Sequence, residues 1–438
     1  MSSLRSSSVV LVLWLVLAPS WSPTTQAGDV PSIPILAPLG KDPATTLYTI
    51  TIKHGGLPLV VDLSGPLYWS RCPPVHRTIP CHSNACQTFN QGLPRETCSL
   101  TAAHTKCTNP NDPCPTYPGN PITGQCAITD ATTFTLSAYG TNGRNPLFPV
   151  TFMALGACSN EYLFMGSQLP ADSWGVAGMS RLPQSLPAQV ASTFKVAKQF
   201  ALCLPRSGET GAVIFGGGPF QLMAASPEPD DGLRQNQVPF LNYSNNGGYY
   251  LRVNGINVNS EPVALPAGAL DLNAGSGEGG VILSTTQQYA GRAATYTTLR
   301  SDIYRPLLKA FDAATSGIPR APAVEPFELC YQASALGSTR LGYAVANIEL
   351  LLDNGRTWLI PGGSSLVQVN GNTVCFAFLE MTTISRVPGS PAVQFGGYQL
   401  EDYLLLFDLD KETFSFSGPL AGIRTSCSNF NFTMTPVS

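Results

Sequence analysis

The stretch Val60-Val61-Asp62-Leu63-Ser64-Gly65-Pro66-Leu67-Tyr68-Trp69 places aliphatic residues before one carboxylate, a small-residue turn after it, and then an apolar run ending in Trp. That is the layout of a strand delivering an Asp into a cleft, where a carboxyl can accept or give a proton. Other chemistries find less support. The four histidines, His54, His76, His82 and His104, all precede residue 105, and a Ser/His/Asp triad built on them would lack a Gly-x-Ser-x-Gly elbow. They read as surface residues. Phe215-Gly-Gly-Gly-Pro219 lacks the Gly-Lys-Ser/Thr ending of a phosphate loop, and a strand-end turn explains it.

The elements that must hold such an Asp follow from length and composition. A chain of 438 residues exceeds one ordinary hydrophobic core, so two lobes are expected. Gly (41) and Pro (38) together outnumber the charged residues, 24 basic and 27 acidic, which suits turn-rich all-β architecture. A net charge of −3 provides no basic face, so nucleic acid is not an expected partner. Arg5, the apolar run Val9 to Ala18 and the small residues Thr25 and Ala27 read as a secretory signal over 1–27, with a retained anchor as the competing reading. No later stretch is apolar enough to span a bilayer.

All twelve cysteines lie beyond residue 27, and in an oxidising compartment they read as six disulfides. Zinc is the competing reading, but Cys81-x4-Cys86 and Cys107-x6-Cys114 lack CxxC pairs. Seven of the twelve crowd into 72–126, a Pro- and Asn-rich insert that would need crosslinks to hold a shape. Sequons at Asn242 and Asn431 are glycan acceptors if modified.

Along the chain, Leu47 to Lys53 and Leu57 to Asp62 form a hairpin across His54-Gly55-Gly56. Strands follow at Ala131 to Ala138 and Pro149 to Ala154, and a helix starts at Ser185 with Pro187 in its first turn. Ala212-Val-Ile-Phe-Gly-Gly217 closes a first half, and residues 221 to about 248 read as a linker. The second half restarts at Tyr249, reaches Gly279 to Thr286, and predicts a helix capped by Ser301-Asp302 that runs to Thr315. Ala392-Val-Gln-Phe-Gly-Gly397 repeats the 212–217 signature, before a hairpin of Leu404 to Asp408 and Thr413 to Phe416. The repeat predicts a duplicated architecture: a lobe of 28–235 carrying the insert 72–126, and a lobe of 236–438.

The Asp62 stretch resembles the first active-site strand of pepsin-like aspartic proteases, in which Asp-Thr-Gly-Ser follows the aliphatics. Here Leu63, Ser64 and Gly65 stand at the last three of those positions. Those enzymes hold a water between two Asp side chains that share one proton. The second such strand here is Ile282-Leu283-Ser284-Thr285-Thr286-Gln287, with Ser284 at the Asp position and Thr286 at the Gly position. The resemblance therefore implies the bilobal, all-β pepsin-like fold with a few short helices, a vestigial pair Asp62 and Ser284, and no peptide hydrolysis by that route.

More specifically, the chain resembles plant xylanase inhibitors of the aspartic-protease-like type, a group with xyloglucanase inhibitors and basic 7S globulins. The resemblance rests on Ile35-Leu-Ala-Pro-Leu39, Lys41-Asp-Pro-Ala44, Asp62 to Trp69, Leu186-Pro-Ala-Gln-Val-Ala191, Phe215-Gly-Gly-Gly218, Gly279 to Thr285, Leu341-Gly-Tyr-Ala-Val345, Leu400-Glu-Asp402 and Phe407-Asp408. It implies Cys203–Cys427 and Cys330–Cys375 disulfides, a secreted monomer of the plant apoplast with a defence role, and no cofactor, metal or membrane. It also implies a partner, a microbial xylanase or related glycoside hydrolase, whose paired carboxylates are met by an inhibitor loop. In that family a His before the last cysteine makes the contact. The loop Gly418-Pro-Leu-Ala-Gly-Ile-Arg-Thr-Ser426 has none. Arg424, with a fork suited to a carboxylate, and its neighbour Ile423 are the candidates there. Arg320, in Ile318-Pro-Arg-Ala-Pro-Ala-Val324, belongs to a second candidate loop. A non-inhibitory storage or binding globulin, and a residually active protease, are the alternatives.

Overall fold

The computed structural model describes residues 33–53, 55–91, 107–141, 146–166, 168–218, 220–223, 228–242, 247–382 and 389–430. The segment 1–27 read as a signal, together with His54, Cys98, His104 and Asn431, lies outside them. The chain from Ser32 onward packs as one unit. Among the described residues no helix is long and apolar enough to cross a membrane.

The first hairpin forms as its pattern requires. Tyr48–Lys53 alternates buried and exposed residues, and Leu57–Asp62 returns after Gly55 and Gly56, whose φ values of 88° and 74° suit residues without a Cβ. These strands lie within the largest sheet, which holds thirteen strands among the described residues. On one side Leu57–Asp62 runs parallel to Gly175–Gly178, which pairs with Trp69–Arg71 and, beyond it, with the long hairpin Thr129–Gly140 and Phe148–Ser159. On the other side Ile35–Lys41 pairs with Gly211–Phe215, and that strand with Gln199–Cys203.

The sheet then takes in distant chain. Gln199–Cys203 pairs with Leu404–Asp408, which pairs with Thr413–Phe416, and Gln237–Pro239 completes that edge. The C-terminal hairpin read as the end of the second half is thus hydrogen-bonded into the sheet of the first. Its aromatic residues explain the placement. Phe407 stacks on Phe200 with ring centroids 4.6 Å apart and meets Tyr249 at 4.7 Å, in a core drawn from both halves. A buried ion pair between Lys41 and Glu401 (2.5 Å) adds a polar tie across 360 residues of sequence, and the Tyr48 hydroxyl also donates to Glu401 (2.8 Å).

Several expectations change in detail. The 221–248 segment read as a linker contains the helix Pro229–Gln235 and the edge strand just named. The helix Leu186–Phe194 has Pro187 in its first turn, and the helix Ser301–Ala314 is preceded by Arg300, not Ser301, at the capping position. Asp302 instead pairs with Arg300 at 2.6 Å, so its carboxylate serves an ion pair and the helix N-terminus together. The insert 72–126 builds a satellite core in which Phe89, Cys86 and Cys114 pack against Trp69 and Leu163, with Ser83 capping the short helix Asn84–Phe89.

Candidate functional site

Two short parallel strand pairs carry Asp62 and Ser284. Val60, Val61 and Asp62 run beside Val176, Ala177 and Gly178, while Val281 to Ser284 run beside Val393 to Gly396. Asp62 faces Gly178 and Ser284 faces Gly396, so these two residues occupy equivalent places. A Cβ on Gly178 would lie 2.3 Å from the Leu67 carbonyl oxygen, and one on Gly396 would lie 2.3 Å from that of Thr295. Each glycine lets a loop close directly under the residue at its strand end.

The structural duplication therefore differs in register from the one read in sequence. The partner of Val393–Gly396 in the first half is Gly175–Gly178, not Ala212 to Gly217. Gly211–Phe215 instead runs antiparallel between Ile35–Lys41 and Gln199–Cys203. Shared apolar composition, not shared position, produced the matching six residues.

Asp62 is 7% exposed. Its Oδ1 accepts from the Ser64 N–H (3.0 Å) and from the Thr286 hydroxyl (2.9 Å), so the second half reaches across to the first. Burial pushes the Asp62 carboxyl above the usual range, and the bonds from Thr286, Ser64 and Gly65 pull it partly back. Among the described residues no second acid contributes to that shift. Ser284 donates to the Thr286 carbonyl oxygen at 2.7 Å, so its hydroxyl is spent on its own turn. Thr285 donates to the Val61 carbonyl (2.6 Å) and accepts from the Leu63 N–H (3.2 Å). The buried Leu63 side chain has no hydroxyl with which to make the matching side-chain contact to the other half. Among the described residues the site is a hydrogen-bonded carboxyl with no second acid for proton sharing, and the Thr286 hydroxyl occupies Asp62 Oδ1. Sequence reading registered Thr286 as a lost glycine, but its hydroxyl contact depends on the pairing of the two halves.

The other candidates lie elsewhere. Arg424 ends the 3-10 turn Leu420–Ile423 in a left-handed conformation, φ 61°. The turn is anchored on both sides: Leu420 N–H donates to the Asp402 carbonyl (2.9 Å), and the buried Thr425 hydroxyl donates to the Met223 carbonyl (2.8 Å). Cys427, just beyond, is bonded to Cys203, and its N–H donates to Asp402 Oδ1 (3.0 Å). Ile423 packs inward beside Leu420 and Cys427. The exposed Arg424 guanidinium has no hydrogen-bond or ion-pair partner among the described residues. Arg320 differs, since its guanidinium pairs with Asp312 (2.6 Å), donates to the Thr315 and Ile318 carbonyls (3.0 and 3.1 Å), and lies over the Tyr331 ring. Arg320 therefore braces its own loop. No contact joins it to Arg424 among the described residues.

Cys330 is bonded to Cys375, with further disulfides at Cys72–Cys158 and Cys86–Cys114. Cys126 is also disulfide-bonded. The expectation of six disulfides is not met, because Cys81 and Cys107 are free thiols. Burial and the nearby Cys107 push the Cys81 thiol up to about 11. Asn242 is exposed. His76 is not a plain surface residue: its Nε2 lies 2.6 Å from Asp130 Oδ2, and its Nδ1 lies 3.9 Å from Cys158 Sγ. Cys72, His76 and Cys158 bring three potential metal donors within 4.8 Å, but the two sulfurs are bonded to each other and so closed to an ion.

Comparison with known proteins places the chain in a family. The family pattern described as xylanase inhibitor N-terminal matches residues 48–217, and the one described as xylanase inhibitor C-terminal matches 248–418. The chain is 38% identical to Chitinase CLP of Oryza sativa subsp. japonica, covering 98% of each chain. Its fold is similar to the solved structure of edgp, with a TM-score of 0.78, 29% identity, and coverage of 92% of this chain and 98% of that one. It is also similar to basic 7S globulin from soybean, with a TM-score of 0.70, 26% identity, and coverage of 91% and 99%. Matched by both halves of the family pattern and along nearly its whole length by these relatives, the chain belongs to the xylanase-inhibitor family of pepsin-like all-β proteins.

Proposed function

We propose that this protein is a secreted, catalytically silent member of its family that blocks the cleft of a microbial glycoside hydrolase of the xylanase type in the plant cell-wall space. The observation that carries the reading is Arg424. Its guanidinium, without a partner among the described residues, sits on a turn braced by a disulfide and by Asp402, so little ordering is left to be done on binding. Xylanases cut with two carboxylates, and an Arg fork pairs with a carboxylate through two charge-assisted hydrogen bonds. Asp62 meets no second acid among the described residues, which supports a reading without a proton-sharing pair.

The test is titration of the purified mature protein against a panel of xylanases and xyloglucanases. Inhibition of one or more is expected, with Arg424→Ala weakening it by about 30-fold or more, the scale of truncating one partner of a desolvated charge pair. Unchanged inhibition in Arg424→Ala removes Arg424 from the contact, and no inhibition of any enzyme removes the reading. A second reading, a storage or binding globulin without inhibitory action, is favoured by the likeness to the soybean globulin. The name of the rice relative makes chitin a substrate to include. Release of soluble sugar from chitin by this protein would replace both readings.

A further inference from the structure

Three neighbouring strands assemble an unusual setting for one disulfide. Ser70 pairs with Cys158 in parallel register, and Ala131 lies opposite Ala157, so Cys72, Cys158 and Asp130 converge at one end of the sheet. The chain leaves Cys72 through Pro73, Pro74 and Val75, all exposed, with Val75 91% so, and turns back to place His76 over the sulfurs. His76 Nδ1 lies 2.9 Å from the Pro73 carbonyl oxygen and 3.9 Å from Cys158 Sγ, while Nε2 is held by Asp130 at 2.6 Å. The other disulfides with both partners described are shut away: Cys203, Cys427, Cys330, Cys375, Cys86 and Cys114 are all buried. Cys72 is half-exposed and Cys158 is buried.

We propose that Cys72–Cys158 is a thiol-exchange site in which Cys72 is the sulfur attacked, Cys158 is the leaving group, and the His76–Asp130 couple receives the charge that develops on Cys158. Burial works against a charged imidazole, but the hydrogen bond to Asp130, the Pro73 carbonyl and the Asp130 charge together hold His76 above its ordinary value. A proton on Nδ1 then faces the Pro73 oxygen and the leaving sulfur. The reacting partner is a small thiol. Its thiolate attacks Cys72 Sγ, a new S–S bond forms to Cys72, the Cys72–Cys158 bond breaks, and the electron pair leaves on Cys158 Sγ beside the imidazolium. A second thiolate attacks the incoming sulfur of the mixed disulfide and releases Cys72. One protein disulfide is reduced and two thiols are oxidised to one disulfide. A sulfur stabilised as thiolate leaves faster, and a neighbouring His⁺ is a recognised means of stabilising it.

The experiment uses the full chain with its free thiols, Cys81 and Cys107, alkylated first. Reduced glutathione is added, samples are quenched over time, and each cysteine is followed by peptide mass spectrometry. Cys72–Cys158 is expected to open before Cys86–Cys114, Cys203–Cys427 and Cys330–Cys375, and the trapped glutathione adduct is expected on Cys72. His76→Gln should slow opening on the order of tenfold, and Asp130→Asn by a smaller factor, with circular dichroism unchanged. Opening at the wild-type rate in His76→Gln overturns the proposal, as does an adduct found on Cys158 as often as on Cys72. A merely structural His76 would not direct the adduct to one sulfur. If His76→Gln does not fold, adduct mapping in the unsubstituted chain and the rate in Asp130→Asn decide the matter by the same criteria.

Discussion

The strand ending at Asp62 and the strand ending at Ser284 share a backbone frame and differ in nearly every side chain that matters. Each runs parallel to a strand whose glycine lies under its last residue, and each glycine closes against a backbone carbonyl at the same separation. On the Asp62 side Leu63 and Ser64 follow. On the Ser284 side Thr285 and Thr286 follow, and both hydroxyls cross to the first half. A working acid pair would need matched carboxylates on matched frames. Here the frames match and the acids do not, and the two hydroxyls brace one half against the other. The backbone closure at both sites rests on glycines and carbonyls, not on the acids.

The sharpest way to break the comparison is at the frame. Gly178→Ala and Gly396→Ala should each cost on the order of 4 kcal/mol or prevent folding, since the new methyl meets backbone that cannot move aside. Equal losses in denaturant midpoints would show that the two frames are equivalent in energy as well as in geometry.

Thr285→Val keeps the shape and removes the hydroxyl, leaving the Leu63 N–H and Val61 carbonyl buried without it. A loss of about 3 kcal/mol is expected by urea unfolding. Ser284→Asp would restore the second acid. It should destabilise the protein by about 2 kcal/mol at neutral pH and less in acid, because two buried carboxyls close together resist ionising together. It should still give no casein hydrolysis at acid pH, because the Thr286 hydroxyl keeps its bond to Asp62.

Asp62→Asn is expected to have the smallest effect, below about 1 kcal/mol, but a diagnostic pH dependence. The folded carboxyl titrates above its ordinary 3.8, so the native state binds more protons. Its contribution is complete below 3.8 and fades as pH rises through the raised value. Thermal unfolding across pH 3 to 7 should therefore show a shallower decline in Asp62→Asn than in the parent chain.

Residue types made the matched positions Asp62 and Ser284 legible, because one carboxylate after aliphatics and one hydroxyl at the corresponding place can be compared from the chain alone. The strands and helices around them were legible for the same reason: alternation, turn glycines and a first-turn proline are local signals. The 212–217 and 392–397 match misled, since apolar strands with glycine ends look alike wherever they lie in a sheet. His76 was passed over as a surface residue because nothing near it in the chain hints at Asp130, 54 residues away.

Near-neighbour chemistry thus told, from the chain alone, that Ser284 stands at the position matching Asp62, that the architecture is all-β, and that the C-terminal loop offers an Arg. Pairing between distant segments told the rest: the C-terminal hairpin completes the sheet of the first half, Thr286 caps Asp62 from across the cleft, and Arg320 is spent on Asp312 while Arg424 is not. The reason is that hydrogen bonds and ion pairs are settled by distance in space, and a sequence specifies that distance only through the packing of the whole core.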